Sequence, residues 1–478
     1  MSARGRATLA VLALVAAAGL GFGVARMWPG AVGVASKQPS PQSSPQPERL
    51  AVAPPVLPPV SIGLPVPPAP SAPTALLARL PVDRSSYGSS LVPAVDLDPA
   101  TPPRFFEVLG AEDVGRSIAT PVRVEYTFDA ALTDDVIRVL RRARAQRGHV
   151  IVLDPRSGRV LAYVATDAEE FPPTRPYPAA SLVKVVTAAA ALGLSPDRAR
   201  EPCLYRGNPY RLSKSRVRRP SRGHSSSLER SLALSNNQCF AQLTVEAVGE
   251  EAMLDAIDRF GWTSEPAPGH ERGVVHRGEG DYDLGRLGCG LAGCRITPMH
   301  AGQLATILAH GLRIEPWWID RVVDGDGRSL SLPPPAAPRR VMSDEIAREL
   351  REMLVMTTTR GTAKSAFRDR RGRLKLGSVS VAGKTGNLSG HDPKGRYEWF
   401  MGVAPADAPT IAIAVLQAQG HLWWAKSSEV AADVLADIFC ERGHCAAEHA
   451  DRFTGDLRGA ATPVFLSETM REETSVAR

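Results

Sequence analysis

Lysine is scarce in this chain: of 57 basic residues only 8 are Lys. Positive charge is supplied as Arg, which stays protonated, so a Lys is expected where an amine must be able to lose its proton. Asn is rarer still, with four in 478 residues. No charge of one sign dominates; the formal net charge of +7 is too mild to indicate a nucleic-acid binder. The 6 cysteines include no Cys-x-x-Cys pair, which speaks against a zinc ribbon or a dithiol redox motif. The 10 His show no ligand spacing, so neither metal nor cofactor is expected. Hydrophobic residues, at 44%, exclude disorder throughout.

Long apolar runs are also few, and the longest sits at the N-terminus. Residues 7–25 carry no charge, with Arg4 and Arg6 before them and Arg26 after. Nineteen residues at ~1.5 Å each match a hydrocarbon layer of ~30 Å. The expectation is a transmembrane anchor over 1–26, its basic end inside. Cleavage as a signal peptide near Gly33-Val34-Ala35 is the alternative. Residues 27–75 read as a spacer, dense in Pro, Ser and Gln from Gln38 and extended rather than packed. Residues 76–121 form a short pedestal, and 443–478 a polar tail. Export permits disulfides. Local spacing suggests Cys289 with Cys294 and Cys440 with Cys445, leaving Cys203 with Cys239.

Folded patterning begins near Val122. Val122, Val124 and Tyr126 alternate with polar residues, as in a half-buried strand. Helical spacing follows over about 132–145. Two β-rich runs, His149 to Asp154 and Arg159 to Val164, flank a Pro/Gly turn and predict a hairpin. Helices are predicted at about 181–193, 228–248, 298–311, 344–357 and 427–439, and strands at 398–403 and 410–416. Strands at both ends with helices between predict a mixed α/β domain whose sheet is assembled from distant parts of the chain.

Three motifs carry chemistry. Ser181-Leu182-Val183-Lys184 opens a helical run, and residues three apart share a helix face. Each of the other seven Lys lacks a Ser three residues before it. A Lys amine with a depressed pKa can take the Ser proton and make the hydroxyl a nucleophile; the simpler alternative is that Ser181 only caps the helix. Ser235-Asn236-Asn237 places two of the four Asn inside an amphipathic helical stretch, where Asn is unfavourable. It predicts either a kink or a functional pair, with Ser235 beside Lys184 as proton shuttle and Asn237 on a substrate amide. In Gly383-Lys384-Thr385-Gly386-Asn387 the glycines let a peptide approach an edge strand, while Lys384 and Thr385 suit a carboxylate. A phosphate loop is rejected, because no helix follows and the earlier Gly is missing.

Together, in this order, the motifs resemble the transpeptidase domain of penicillin-binding proteins. The residues 150–162, Thr297-Pro298-Met299-His300, Gly361-Thr362-Ala363 and Trp399 to Pro405 resemble further segments of that family, and the resemblance covers about 122–442. It implies an α/β (α+β) fold: a mixed, largely antiparallel sheet flanked by helices, with a helical subdomain. It further implies a single-pass protein of the bacterial cytoplasmic membrane with its catalytic domain outside. The implied activity is acyl-serine D,D-transpeptidation of peptidoglycan stem peptides, with β-lactams as covalent inhibitors and elongation or division proteins as partners. Ser181 is then the nucleophile, Lys184 its base and Ser235 the relay to the leaving D-Ala. Asn237, Lys384, Thr385, Gly386 and Asn387 bind substrate, and the backbone N–H groups of Ser181 and Asn387 form the oxyanion hole. The family commonly has Thr or Ser where Asn387 stands.

Four rivals are weighed. D,D-carboxypeptidase action differs only in whether water or an amine reaches the acyl-enzyme. A class A β-lactamase needs a Glu with an Asn four residues on, and no Asn lies between Asn237 and Asn387. A silent β-lactam sensor or cell-wall scaffold is the third. A second, glycosyltransferase domain is set aside, because only about fifty residues separate the Pro-rich spacer from Val122, too few for one. The basic run Arg211, Lys214, Arg216, Arg218, Arg219 and Arg222 reads as a solvated loop or as a contact for anionic headgroups or wall polymers. Length alone suggests three domains; the motifs reduce this to one catalytic domain with appendages.

Overall fold

The strongest β-patterns lie at the two ends of the folded region, and they meet in one sheet. The computed structural model describes residues 71–82, 92–93, 104–110, 121–420 and 424–455. Strand Gly148–Leu153 turns at Gly158 into Val160–Ala165, the predicted hairpin. On its other side it pairs with Ile411–Gln419, then come Lys394–Ala404 and, at the edge, Ala382–His391. All four pairings are antiparallel. Both faces are covered, so these strands read as continuous apolar runs such as Val150 to Leu153 rather than as alternation.

Period-2 geometry divides the side chains of this sheet between two cores. Tyr397, Trp399 and Met401 enter one, with helices Val183–Leu194, Pro298–His310 and Asp344–Thr359. Phe400 enters the other, with Ala130–Arg142 and Ser427–Phe439. Helix Val183–Leu194 is buried all round, from Val183 to Leu192, as its nearly uninterrupted apolar sequence demands. Its one charged residue is Lys184. A second sheet joins Val92–Pro93, Arg104–Leu109, Val122–Asp129 and Ile319–Val323.

The α/β sheet-and-helix fold agrees with expectation, but two parts of the reading are corrected. The predicted transmembrane helix at 7–25 lies outside the described residues, and among the described residues no helix is long and apolar enough to cross a membrane. The longest, Asp344–Thr359, has 16 residues, which at ~1.5 Å each falls short of ~30 Å of hydrocarbon. Neither the spanning helix nor the single-pass localisation finds support among the described residues. The continuous helix expected over 228–248 is also broken: Leu228–Ala233 ends, and Asn237–Leu243 begins after an interruption at Ser235 and Asn236.

Three buried histidines make stability depend on pH. His149, 0% exposed, bonds Phe171 O at 2.7 Å and stacks on its ring. His270 sits near Tyr163 and Trp318, and His300 closes the capping box on Thr297. Burial pushes their pKa values down to about 3, 4 and 4 respectively. The unfolded chain therefore binds more protons between about pH 6.5 and 4, and stability falls as pH drops through that window. Thermal melting at pH 7 and pH 5 is expected to show a loss of a few kcal/mol on the acid side; equal melting temperatures would contradict it.

Candidate functional site

The first motif sits where a tight turn becomes the buried helix. Ala180–Leu182 forms one 3₁₀ turn, and Val183–Leu194 continues it. Ser181 is therefore inside helical geometry and is not an N-cap. Ala180 before it has φ +48°, an uncommon conformation for a residue with a Cβ. Lys184 lies three residues on and is 0% exposed. Its Nζ donates to Ser181 Oγ at 2.7 Å, Asn237 Oδ1 at 2.8 Å and the Cys289 carbonyl at 2.6 Å. Burial lowers its pKa to about 8, so a neutral amine is accessible close to physiological pH.

The carbonyl of Cys289 was not visible in the sequence as part of the site. It ends helix Gly280–Cys289, and Gly290 follows at φ +78°. A Cβ on Gly290 would stand 2.0 Å from Ala180 O, so only glycine lets this helix end press against the Ala180–Leu182 turn. The Cys-Gly pair signals a helix C-cap; nothing in it signals contact with Lys184.

The second motif interrupts the helical stretch, as two adjacent Asn favour. Ser235 takes φ +58°. Asn236 caps Asn237–Leu243, its side chain accepting the Cys239 N–H at 3.1 Å. Asn237 then faces Lys184 with Oδ1 and donates Nδ2–H to Tyr210 O at 2.9 Å. Ser235 Oγ is held by Lys384 Nζ at 3.0 Å; no hydrogen bond joins it to Lys184.

The third motif lies on the edge strand Ala382–His391. Lys384, 0% exposed, also donates to Thr385 O at 2.7 Å. Burial, and then the charge of Lys184, push its pKa well down. Lys384 pairs with Met401 and Gly386 with Trp399, so both share the face turned toward the core that holds helix Val183–Leu194. A Cβ on Gly386 would lie 3.3 Å from the Ala180 Cβ, and Trp399 Nε1 donates to Pro178 O at 2.8 Å. These contacts bring the strand beside Ser181. Asn387 pairs with Glu398 instead, and its exposed side chain accepts from Arg396 Nε at 2.5 Å. Thr385 shares a 2.6 Å hydroxyl–hydroxyl bond with Thr362. The contact of Thr362, like that of Tyr210, depends on loop placement that spacing does not encode.

The cysteines differ from expectation at one pair. Cys203–Cys239 and Cys440–Cys445 are bonded, while Cys289 and Cys294 are free and buried. The backbone holds them apart in role: Cys289 O is on Lys184, and Cys294 O accepts Ala179 N–H at 3.0 Å. Part of the basic run is paired, Arg218 with Asp281 at 2.5 Å and Arg219 with Glu201 at 3.7 Å.

The chain is similar to known proteins in sequence and in fold. The family model of the penicillin binding protein transpeptidase domain matches residues 148–440, more than half of the chain. The chain belongs to that family. The Peptidoglycan D,D-transpeptidase PbpA of Mycolicibacterium smegmatis is 25% identical over 316 residues, 57% of this chain and 62% of that protein. Stage V sporulation protein D of Bacillus subtilis is 26% identical over 306 residues, covering 55% and 44%. The chain thus spans less than two thirds of the length of these curated relatives. The imipenem acyl-enzyme complex of penicillin-binding protein A from M. tuberculosis superposes with a TM-score of 0.55 at 22% identity, over 66% of this chain and 79% of that one. That likeness is one of fold.

Proposed function

We propose that this chain is an acyl-serine D,D-transpeptidase acting on peptidoglycan stem peptides and acylated by β-lactams. One observation carries the reading: a fully buried Lys184 amine, its pKa lowered to about 8, stands 2.7 Å from Ser181 Oγ. The neutral amine takes the Ser181 proton as Oγ attacks the carbonyl of the penultimate D-Ala. Backbone N–H groups of Ser181 and Asn387 receive the oxyanion, each such donor typically contributing ~10²–10³ in rate. The C–N bond breaks, and Ser235, held by Lys384, passes a proton to the departing D-Ala. An amine from a second stem peptide then displaces Ser181 from the acyl carbon.

Lys384 and Thr385 bind the terminal carboxylate, whose approach favours the charged form of Lys384 against its burial. Gly386 leaves room for the peptide along the edge strand, and Asn237 orients the donor amide. With the side chain of Asn387 turned to Arg396, only its backbone serves the site, so the departure from Thr or Ser leaves the oxyanion role intact. The relatives' names, D,D-transpeptidase and acyl-enzyme complexes with a β-lactam among them, support the reaction class. A catalytic unit over about 122–442 with the 76–121 segment before it belongs to the same proposal, and partners among elongation or division proteins rest on the family resemblance.

The decisive assay gives the purified protein a D-Ala-D-Ala stem-peptide donor and an amine acceptor. Release of D-Ala together with a cross-linked product is expected. Release with no cross-link marks a D,D-carboxypeptidase instead. Rapid hydrolysis of β-lactams in place of a long-lived adduct marks a β-lactamase.

A further inference from the structure

Asn237 does not hold its place by itself. The turn before it in sequence, residues 206–210, is tied to the start of its helix by a set of bonds centred on Gln238. That side chain is 1% exposed. Its Oε1 accepts Arg206 N–H at 3.2 Å, and its Nε2 donates to Arg206 O at 2.9 Å and Asn208 O at 2.7 Å. The side-chain amide thus pairs with Arg206 as a neighbouring strand would. Pro209 O accepts the N–H groups of both Asn237 and Gln238, at 3.0 and 3.2 Å, satisfying two donors that a helix start leaves open. The disulfide Cys203–Cys239 joins the same two segments just outside this bond set.

One bond matters for chemistry. A free Asn amide can present either end to a neighbour. Here Tyr210 O takes Nδ2–H of Asn237, which leaves Oδ1 as the end that faces Lys184 Nζ. We propose that Gln238 is a positioning residue: by anchoring the 206–210 turn it fixes the Asn237 amide, and through it the hydrogen bonding of Lys184, for attack by Ser181. The proposal rests on the transpeptidase reading above.

Losing the anchor lets Asn237 turn. Lys184 then loses an acceptor that favours its charged form, while the Cys289 thiol and Lys384, the other titratable groups beside it, are unchanged. The test is the second-order rate of acylation by a fluorescent penicillin, measured from pH 6 to 9 on the whole protein. Gln238→Leu, folded by thermal melting, is expected to acylate about 10- to 100-fold more slowly, the range that misplacing a catalytic group produces. The midpoint of its rise with pH is expected to move to lower pH, which a purely structural loss would not cause. Asn208→Ala loosens the same turn from its exposed side, where Asn208 Oδ1 accepts Tyr210 N–H, and is expected to act in the same direction more weakly; it decides alone if Gln238→Leu does not fold. Wild-type rate and midpoint in the folded variants would overturn this inference while leaving the transpeptidase reading standing. A wild-type protein that penicillin fails to label would overturn both.

Discussion

Ser181→Ala is expected to end covalent labelling by a fluorescent penicillin while leaving the protein folded. The Ser181 hydroxyl is the group proposed to form the acyl ester, with Lys184 as its base. Its loss removes one of three acceptors of Lys184 and leaves Asn237 Oδ1 and Cys289 O in place, so the buried amine keeps partners and the helix keeps its packing. Removing a nucleophile from a coupled catalytic group costs on the order of 10⁶ in rate, which takes labelling below detection. Gel fluorescence after incubation, beside a melting curve, is sufficient. Labelling that persists at the wild-type level in a folded Ser181→Ala protein would show that another residue is acylated, and the assignment of the site would fail.

Lys184→Met and Lys184→Arg are expected to slow acylation by about 10²–10⁴-fold, the usual contribution of a general base. The two substitutions test different things. Met keeps an unbranched stem in the same fully buried space but has no proton acceptor of comparable strength. Arg keeps the charge and cannot give it up. If Lys184 merely neutralised or positioned its neighbours, Arg would retain much of the activity. The wild-type rate is expected to rise from pH 6 to 9 with a midpoint near the Lys184 value of about 8, because only the neutral amine accepts the Ser181 proton. That rise should vanish in both variants. An equally steep pH dependence in Lys184→Met would assign it to another group.

Much of this site was legible in the chain before its fold was known. Lys184 and Lys384 stood out because amines are rare here, and Asn236 and Asn237 because Asn is rarer. The helices at Pro298–His310 and Ser427–Phe439 and the Gly148–Leu153 hairpin followed from period and turn chemistry, which are local. The interruption at Ser235 was harder to place. The amphipathic period runs straight through it, and only the capping by Asn236 and the positive φ of Ser235 resolve a kink into two helices. The pairing of Cys289 with Cys294 failed for a related reason: closeness in sequence says nothing about where two backbones are pinned.

The candidate reactive groups and their order can be read from the chain alone, since side-chain chemistry and spacing within one helix turn are local. Their connections come from the packing of distant segments. It put the Cys289 carbonyl on Lys184 across a Gly290 contact, gave Ser235 to Lys384, and turned the side chain of Asn387 toward Arg396. Each of these joins residues through loop and strand placement, and a buried amine's pKa depends on that enclosure rather than on its neighbours in sequence.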